Sequence, residues 1–256
     1  MKNKKNRVGG SLYYLLAVVF WVAVWQIAAM HIDKELFLPS PLRVWSVLRK
    51  ELIPSGDFWR SILFSFLRIG AGFAAGFAAG TLLAVFSYLC RPVRILLWFP
   101  IKVIKAVPVA SFVILTLLWM DASELSIFIP FLMVLPILYL HTFTALMQMD
   151  RKLAEMASLF RVSPADRLFF VYLPQVLPAV LSACSLASGM AWKSGIAAEI
   201  IGLSRNSIGN RLYQAKIYLL TPELFAWTIV IILLSIGWEQ LFRGLAGLLV
   251  KEGKNS

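Results

Sequence analysis

Long stretches with few or no charged residues alternate with short charged segments along the chain, and these stretches predict its helices. Each approaches or exceeds the roughly 20 residues that a helix needs to cross a bilayer. The stretches are 11–30, 69–90, 106–120, 125–149, 175–201 and 224–250. The third is short, but the basic side chains of Lys102 and Lys105 can extend towards the membrane surface, so we begin it near residue 101. The pattern predicts an all-α polytopic membrane protein with about six transmembrane helices.

The composition excludes a soluble domain. Of the 256 residues, 60% are hydrophobic and 15% are charged, and the mean hydropathy is +0.78. A net charge of +12 would suggest nucleic acid as the partner of a soluble chain, but basic residues that alternate with apolar spans are explained by anchoring at the cytoplasmic surface. We therefore expect the lipid bilayer, and no nucleic acid, as a partner. Cys90 and Cys184 supply neither a disulfide framework nor a metal site.

The distribution of Lys and Arg predicts the orientation, because basic residues concentrate in cytoplasmic segments. They are more numerous in the segments that lie inside when both termini are cytoplasmic. The first uncharged run is long for the core of a signal peptide, so we expect a retained span. The predicted organisation is a basic cytoplasmic tail at 1–10, a first transmembrane helix at 11–30, an external amphipathic segment at 31–60, a core at 61–250 and a cytoplasmic tail at 251–256.

A polar interruption at 150–174 is the segment least compatible with a bilayer. A helical run from Asp150 to Phe160 is followed by the turn signal Val162-Ser163-Pro164 and by a second short helix. We expect that second helix to stop at Leu173, because proline disfavours the α conformation in the residue before it. The segment is predicted to form a helix-turn-helix hairpin in the cytoplasm.

The spacing within this hairpin resembles the cytoplasmic coupling loop of ABC-importer permeases. That loop has Glu-Ala-Ala, then Gly after three residues, and then Ile-x-Leu-Pro. The matching residues here are Glu155, Met156, Ala157, Arg161, Val171, Leu173 and Pro174. Arg161 replaces the glycine, which would take a left-handed turn conformation at a cost to other residues of roughly 1 kcal/mol or more.

Four further motifs fit the nitrate/taurine/aliphatic-sulfonate type of permease. They are the opening Leu38-Pro39-Ser40-Pro41, the region from Arg68 to Gly72, Pro108, and the run from Trp192 through Glu199 to the glycine-rich sequel at Gly202. Gly72, Gly76 and Gly80 form a stripe that lets helices approach closely. We favour packing of this stripe inside one subunit over a dimer seam.

The resemblance implies a type I ABC importer permease fold in a plasma or inner membrane. It implies a homodimer of permease copies, two ATPase subunits that each receive one hairpin, and an external solute-binding protein. ATP and Mg²⁺ would bind the ATPase, because this chain has no phosphate-binding Walker motif. We expect no catalytic residue, cofactor or metal in the chain itself. The alternative is a secondary carrier driven by an ion gradient, although no internal repeat typical of such carriers is evident.

Charged and polar residues inside the spans are the remaining candidates for the transport pathway, together with Pro108 and Trp192. Lys193 and Glu199 are six residues apart, about 240° around a helix, so they cannot form a pair on one face. Lys193 either lines the pathway and favours an anionic solute, or pairs with a carboxylate or extends outwards. For Glu199 we expect a structural or gating contact. His141 is interpreted as a packing residue.

Overall fold

The computed structural model describes residues 5–252, and within that range it gives no side-chain description for 5–12, 14, 151, 154, 242, 243 and 245–252. Most of the predicted C-terminal tail and the first residues of the N-terminal tail lie outside the described residues. Residues 5–10 of the predicted N-terminal tail already belong to the first helix.

The described part of the chain is built from helices and contains no strand. In order they are α1 (Lys5–Ile32), α2 (Pro41–Val47), α3 (Gly56–Leu89), α4 (Arg91–Ala106), α5 (Val109–Thr116), α6 (Ala122–Met147), α7 (Arg151–Leu159), α8 (Pro164–Asp166), α9 (Leu173–Gly202), α10 (Ile208–Ile217) and α11 (Thr221–Glu252). π-Helical turns at Leu48–Leu52 and Arg167–Tyr172 follow α2 and α8.

Five helical segments among residues 5–252 are long and apolar enough to cross a membrane: Leu15–Ile32, Gly56–Leu89, Ala122–Met147, Pro164–Gly202 and Thr221–Leu241. The helices extend past the predicted spans because apolarity marks only the part in contact with lipid. At 34 residues, α3 is about 51 Å long, against a hydrocarbon thickness of about 30 Å. The predicted boundary between residues 60 and 61 therefore falls inside α3.

The predicted third span, 101–120, is not one straight helix. α4 and α5 meet at an angle of 103°, so they form either one broken span or a re-entrant segment. The bend lies at Val107, which is extended (ψ 132°), and Pro108 follows it. Pro108 favours this bend because it has no N–H to donate and crowds the residue before it.

The predicted stop at Leu173 is wrong, since the helical path continues from Pro164 to Gly202. Pro174 lies in the first turn of α9, where the missing N–H is tolerated. The wider π-helical turn precedes it, and the Gln175 side-chain Nε2 donates to the carbonyl of Val171 at 2.7 Å. The second arm of the hairpin is thus continuous with a membrane-spanning helix.

The chain forms two compact units, and the first contains residues up to Trp59 together with Arg211–Val230. In this unit the predicted amphipathic segment buries Val44 and Val47 and exposes Trp45. The Trp25 indole N–H donates to the Pro39 carbonyl at 3.1 Å, and the Trp25 ring stacks on Phe225.

The second unit contains Arg60–Asn210 and the described residues from Ile231 onwards, and its core is built where α3 and α9 pack with α6. Along α3, a Cβ atom on Gly76 would lie 2.8 Å from Val134 Cβ, and one on Gly80 would lie 2.7 Å from the Leu135 carbonyl oxygen. A Cβ on Gly72 would meet the backbone of Ile127. The glycine stripe therefore packs against α6 of its own chain.

Candidate functional site

The hairpin at 150–174 begins with two contacts of Asp150. Its side-chain Oδ1 accepts from the Lys152 backbone N–H at 2.8 Å and caps α7. Its backbone N–H donates to the Gln175 side-chain Oε1 at 2.9 Å. Because Gln175 lies in the first turn of α9, this bond ties the start of the hairpin to the helix that leaves it.

The turn after α7 has the hydrogen bonds of a Schellman motif. The Arg161 N–H donates to the Ser158 carbonyl at 3.1 Å, and the Val162 N–H donates to the Ala157 carbonyl at 3.0 Å. This motif requires a left-handed residue at the position that Arg161 occupies, and Arg161 has φ 53°. Arg161 therefore adopts the left-handed conformation expected of the glycine that it replaces in the family pattern.

Arg167 closes the hairpin, a role that the sequence reasoning missed. One guanidinium nitrogen of Arg167 donates to the carbonyls of Val162 at 3.2 Å and Ala157 at 3.4 Å. These carbonyls belong to the end of α7 and the turn, whereas Arg167 begins the second arm. No local sequence signal distinguishes this arginine from the other basic residues of the segment.

The residues of the predicted coupling motif have different exposures. Ala157 is 3% exposed and lies in the interior of the hairpin, so it does not belong to an outer docking face. Glu155, Met156, Arg161, Leu173 and Pro174 are exposed, and Val171 is half-buried. An exposed apolar surface accompanies them, formed by Met156, Leu159, Phe160, Leu168, Phe169 and Phe170. We call these six residues the hairpin apolar surface.

Glu199 lies inside the second unit, with a side chain that is fully buried. Its Oε2 accepts from the Ser65 hydroxyl at 2.8 Å and from the Gly209 N–H at 3.1 Å. Ser65 also accepts from the Ile208 N–H at 3.0 Å, so one carboxylate joins α3, α9 and the start of α10. Gly209 packs directly on Glu199 and has no room for a Cβ atom.

The other pathway candidates are distributed between interior and surface. Trp192 is buried in an aromatic cluster with Phe66 and Trp238. Lys193 is exposed and has no hydrogen bond or ion pair within the described part of the chain, and Pro108 is exposed at the bend between α4 and α5. Glu199 and Trp192 therefore do not line a surface that a solute could reach in this chain.

His141 was interpreted as a packing residue, but it does not pack inside this chain, because its side chain is exposed on α6. It lines a cleft of about 470 Å³ between α6 and α9. The other polar residues of the cleft are Thr144, Gln148 and Gln175. The sequence places the first two three and seven residues after His141, a helical spacing that puts them on one face.

A family model and the named relatives all identify this chain as similar to transport permeases. The family described as "Binding-protein-dependent transport system inner membrane component" matches residues 70–250. A putative aliphatic sulfonates transport permease of Escherichia coli K12 is 31% identical over 87% of this chain and 87% of its own. The taurine transport system permease of the same organism is 27% identical over 92% of this chain and 86% of its own.

A solved structure supports the fold. The inward-facing MetNI methionine ABC transporter matches with a TM-score of 0.53 at 17% identity, over 75% of this chain and 95% of the compared chain. The family match and the named relatives favour an importer over the ion-driven carrier. The chain belongs to the family of binding-protein-dependent transport system inner membrane components, the permease subunits of ABC importers, in which a partner subunit hydrolyses ATP.

Proposed function

We propose that the hairpin at 150–174 docks on an ATPase subunit and transmits its movement to the spans. The observation that carries this proposal is the hairpin apolar surface. Phe160 is 77% exposed and Leu159 is 83% exposed at the end of α7. A large exposed apolar surface outside the bilayer marks a site of protein interaction. Two copies of the permease, two ATPase subunits and an external binding protein complete the proposed complex.

The hairpin apolar surface lies outside the bilayer in this account. The helical path Pro164–Gly202 has 39 residues, so it is about 58 Å long, against about 30 Å of hydrocarbon. Its N-terminal turns therefore extend beyond the membrane if Gly202 lies near the opposite surface. The basic residues of the segment support a cytoplasmic position for this end and for both chain termini.

Movement of the hairpin would reach the spans without an intervening flexible loop. The Arg167 guanidinium and the Schellman turn hold the two arms together. The bond between Asp150 and Gln175 fixes the start of the hairpin to α9, and α9 continues from the second arm. Closure of the ATPase would then rotate α9 as a rigid body and switch the pathway between its inward-open and outward-open states.

We propose a small oxyanion as the transported solute. The relatives are named for aliphatic sulfonates and for taurine, and taurine is itself a sulfonate. Lys193 supports the same class, because an exposed cation on a membrane span is costly unless it faces protein or a water-filled cavity. A lysine that lines the pathway would attract an anion.

The affinity of the permease for its ATPase subunit tests the docking proposal. In Phe160→Ser, loss of an apolar side chain that becomes buried on docking should weaken binding about tenfold or more. Leu118→Ser is the matched control, because Leu118 is 72% exposed but lies between α5 and α6. Affinity of the Phe160 variant equal to that of the unmodified protein, with both variants folded, would contradict hairpin docking.

A further inference from the structure

Several polar side chains that line the cleft between α6 and α9 have no partner in the described part of the chain. His141, Thr144 and Gln148 have exposed side chains and no hydrogen-bond partner within the described residues. His141 and Thr144 lie within the span Ala122–Met147. Lipid offers no hydrogen bonds, so such groups must face protein or water.

The shape of the cleft favours water over a second helix. Its volume of about 470 Å³ lies within the range of pockets that hold small ligands. Seams between membrane helices also contain small residues, here Ala145 and Ala179, and polar side chains that bond across the seam. The volume of the cleft, rather than its composition, is therefore the observation that favours water. Imidazole, hydroxyl and carboxamide groups around a concavity are the lining expected of a passage for a polar solute.

The orientation of the Gln175 side-chain amide leaves a hydrogen-bond donor for a solute that carries acceptor atoms. The Asp150 backbone N–H can only donate, so the Gln175 atom that faces it must be Oε1. The Gln175 Nε2 therefore takes the other position, where one of its hydrogens goes to the Val171 carbonyl. Its second hydrogen remains as a donor, and none of the described residues that line the cleft is acidic.

The same face of α9 continues from the cleft to Lys193. Gln175 and Ala179 line the cleft, and Ser182, Leu186 and Lys193 follow at helical spacing with exposed side chains. Lys193 lies 18 residues beyond Gln175, about 27 Å along the helix axis. The Gln175 amide donor near one membrane surface and the Lys193 cation towards the other surface thus lie on one face of α9.

We propose that His141, Thr144, Gln148 and Gln175 form a solute-binding station in the cytoplasmic half of the pathway, which takes a small oxyanion through hydrogen bonds rather than through a fixed charge. This inference rests on the proposed function, because it needs the hairpin end of α9 to be cytoplasmic and a pathway that opens there. The hydroxyl and carboxamide donors stabilise the anion weakly, so it is released to the cytoplasm.

Labelling of single cysteines tests the station in the assembled complex of permease, ATPase and binding protein in proteoliposomes. Cys90→Ser and Cys184→Ala remove the native thiols. Thr144→Cys then reports on the cleft. Met147→Cys is the control on the same helix and at a similar depth, since Met147 is exposed but does not line the cleft. The probes are the anionic sulfonatoethyl and the cationic trimethylammonioethyl methanethiosulfonates.

In the absence of nucleotide, we expect the anionic probe to react at least tenfold faster at Thr144→Cys than at Met147→Cys. The ratio of anionic to cationic labelling rates should also be higher at Thr144→Cys. Adding Gln148→Met should lower that ratio about two- to tenfold, the effect of removing one neutral hydrogen-bond donor. Equal rates at the two positions, a preference for the cation, or a ratio unchanged by Gln148→Met would overturn the station.

Co-purification separates failure of this inference from failure of the proposed function. If the ATPase does not co-purify with the unmodified permease, the proposed function fails and the station fails with it. If the complex forms but Thr144→Cys is unlabelled and instead forms a disulfide with its copy in a second permease, the cleft is a subunit seam. That outcome overturns the station and leaves hairpin docking intact.

Discussion

Replacing Glu199 should separate a structural role from a solute-binding role. In Glu199→Leu, the Gly209 N–H and the Ser65 hydroxyl lose their acceptor in a site that water does not reach. Glu199→Gln keeps the shape of the side chain, and its Oε1 can accept from both donors. The two variants thus differ mainly in whether buried donors remain satisfied.

The magnitude follows from the two contacts. A buried donor left without a partner costs about 1–3 kcal/mol, so Glu199→Leu should lose about 2–6 kcal/mol of stability. Glu199→Gln should lose about 1 kcal/mol, the net difference expected when hydrogen bonds are exchanged rather than removed. Because 1 kcal/mol shifts Tm by about 2–4 °C for chains of this size, the two variants should be clearly distinguishable.

Thermal unfolding in detergent, measured together with solute uptake in proteoliposomes, provides the assay. Ser65→Ala is the control, and its effect should add only in part to that of Glu199→Leu, because both remove the same bond and only Ser65→Ala also removes the acceptor of the Ile208 N–H. A Glu199→Leu protein with normal Tm but no uptake would refute the structural role and return Glu199 to the pathway. Loss of uptake in Glu199→Gln at normal Tm would lead to the same conclusion.

Four further substitutions test other parts of the account. Gly76→Ala should destabilise the protein by about 1–2 kcal/mol in the same unfolding assay, because the added carbon overlaps Val134. Gly237→Ala is the control and should be neutral or stabilising, because a Cβ atom there meets no atom within 4 Å. Arg161→Gly should raise stability by up to about 1 kcal/mol by relieving the left-handed strain; ATPase affinity that falls at low but not at high salt would show that the arginine also pairs with an acidic surface. Lys193→Met should lower uptake without affecting assembly or ATPase stimulation, with Lys193→Arg as the control, and unchanged uptake would refute its pathway role. Ala157→Trp should insert normally but lose ATPase stimulation and uptake, because the hairpin interior has no room for the ring; normal activity would contradict a coupling role for the hairpin.

The helices were predictable because apolar stretches of sufficient length have few alternatives to a spanning helix. The bend at Pro108 was not, since Pro100 lies inside α4 and Pro130 and Pro136 lie inside α6 without ending those helices. Whether a proline breaks a helix depends on which neighbouring groups satisfy the freed carbonyl. Those neighbouring groups are brought together by the tertiary fold, so the local sequence does not identify them.

In the candidate site, too, local features were predictable and tertiary contacts were not. The turn at Arg161 was predictable from motif spacing, because turn signals are local, although the motif did not specify whether an arginine would keep the left-handed conformation of the glycine that it replaces. The burial of Ala157 and the bonds of Arg167 were not, because they depend on how the second arm returns to α7. The exposure of His141 depends on which face of α6 packs inside the chain, and an apolar span with little periodicity does not specify that face.

The central claim is that the hairpin contacts the ATPase, and site-specific photo-crosslinking tests it most directly. A benzophenone side chain at Leu159, which is the most exposed residue of the hairpin apolar surface, should crosslink to the ATPase subunit in membranes. The same group at Leu118 should not. Crosslinking of the ATPase from Leu118 with none from Leu159, in a complex that hydrolyses ATP and imports solute, would contradict the account.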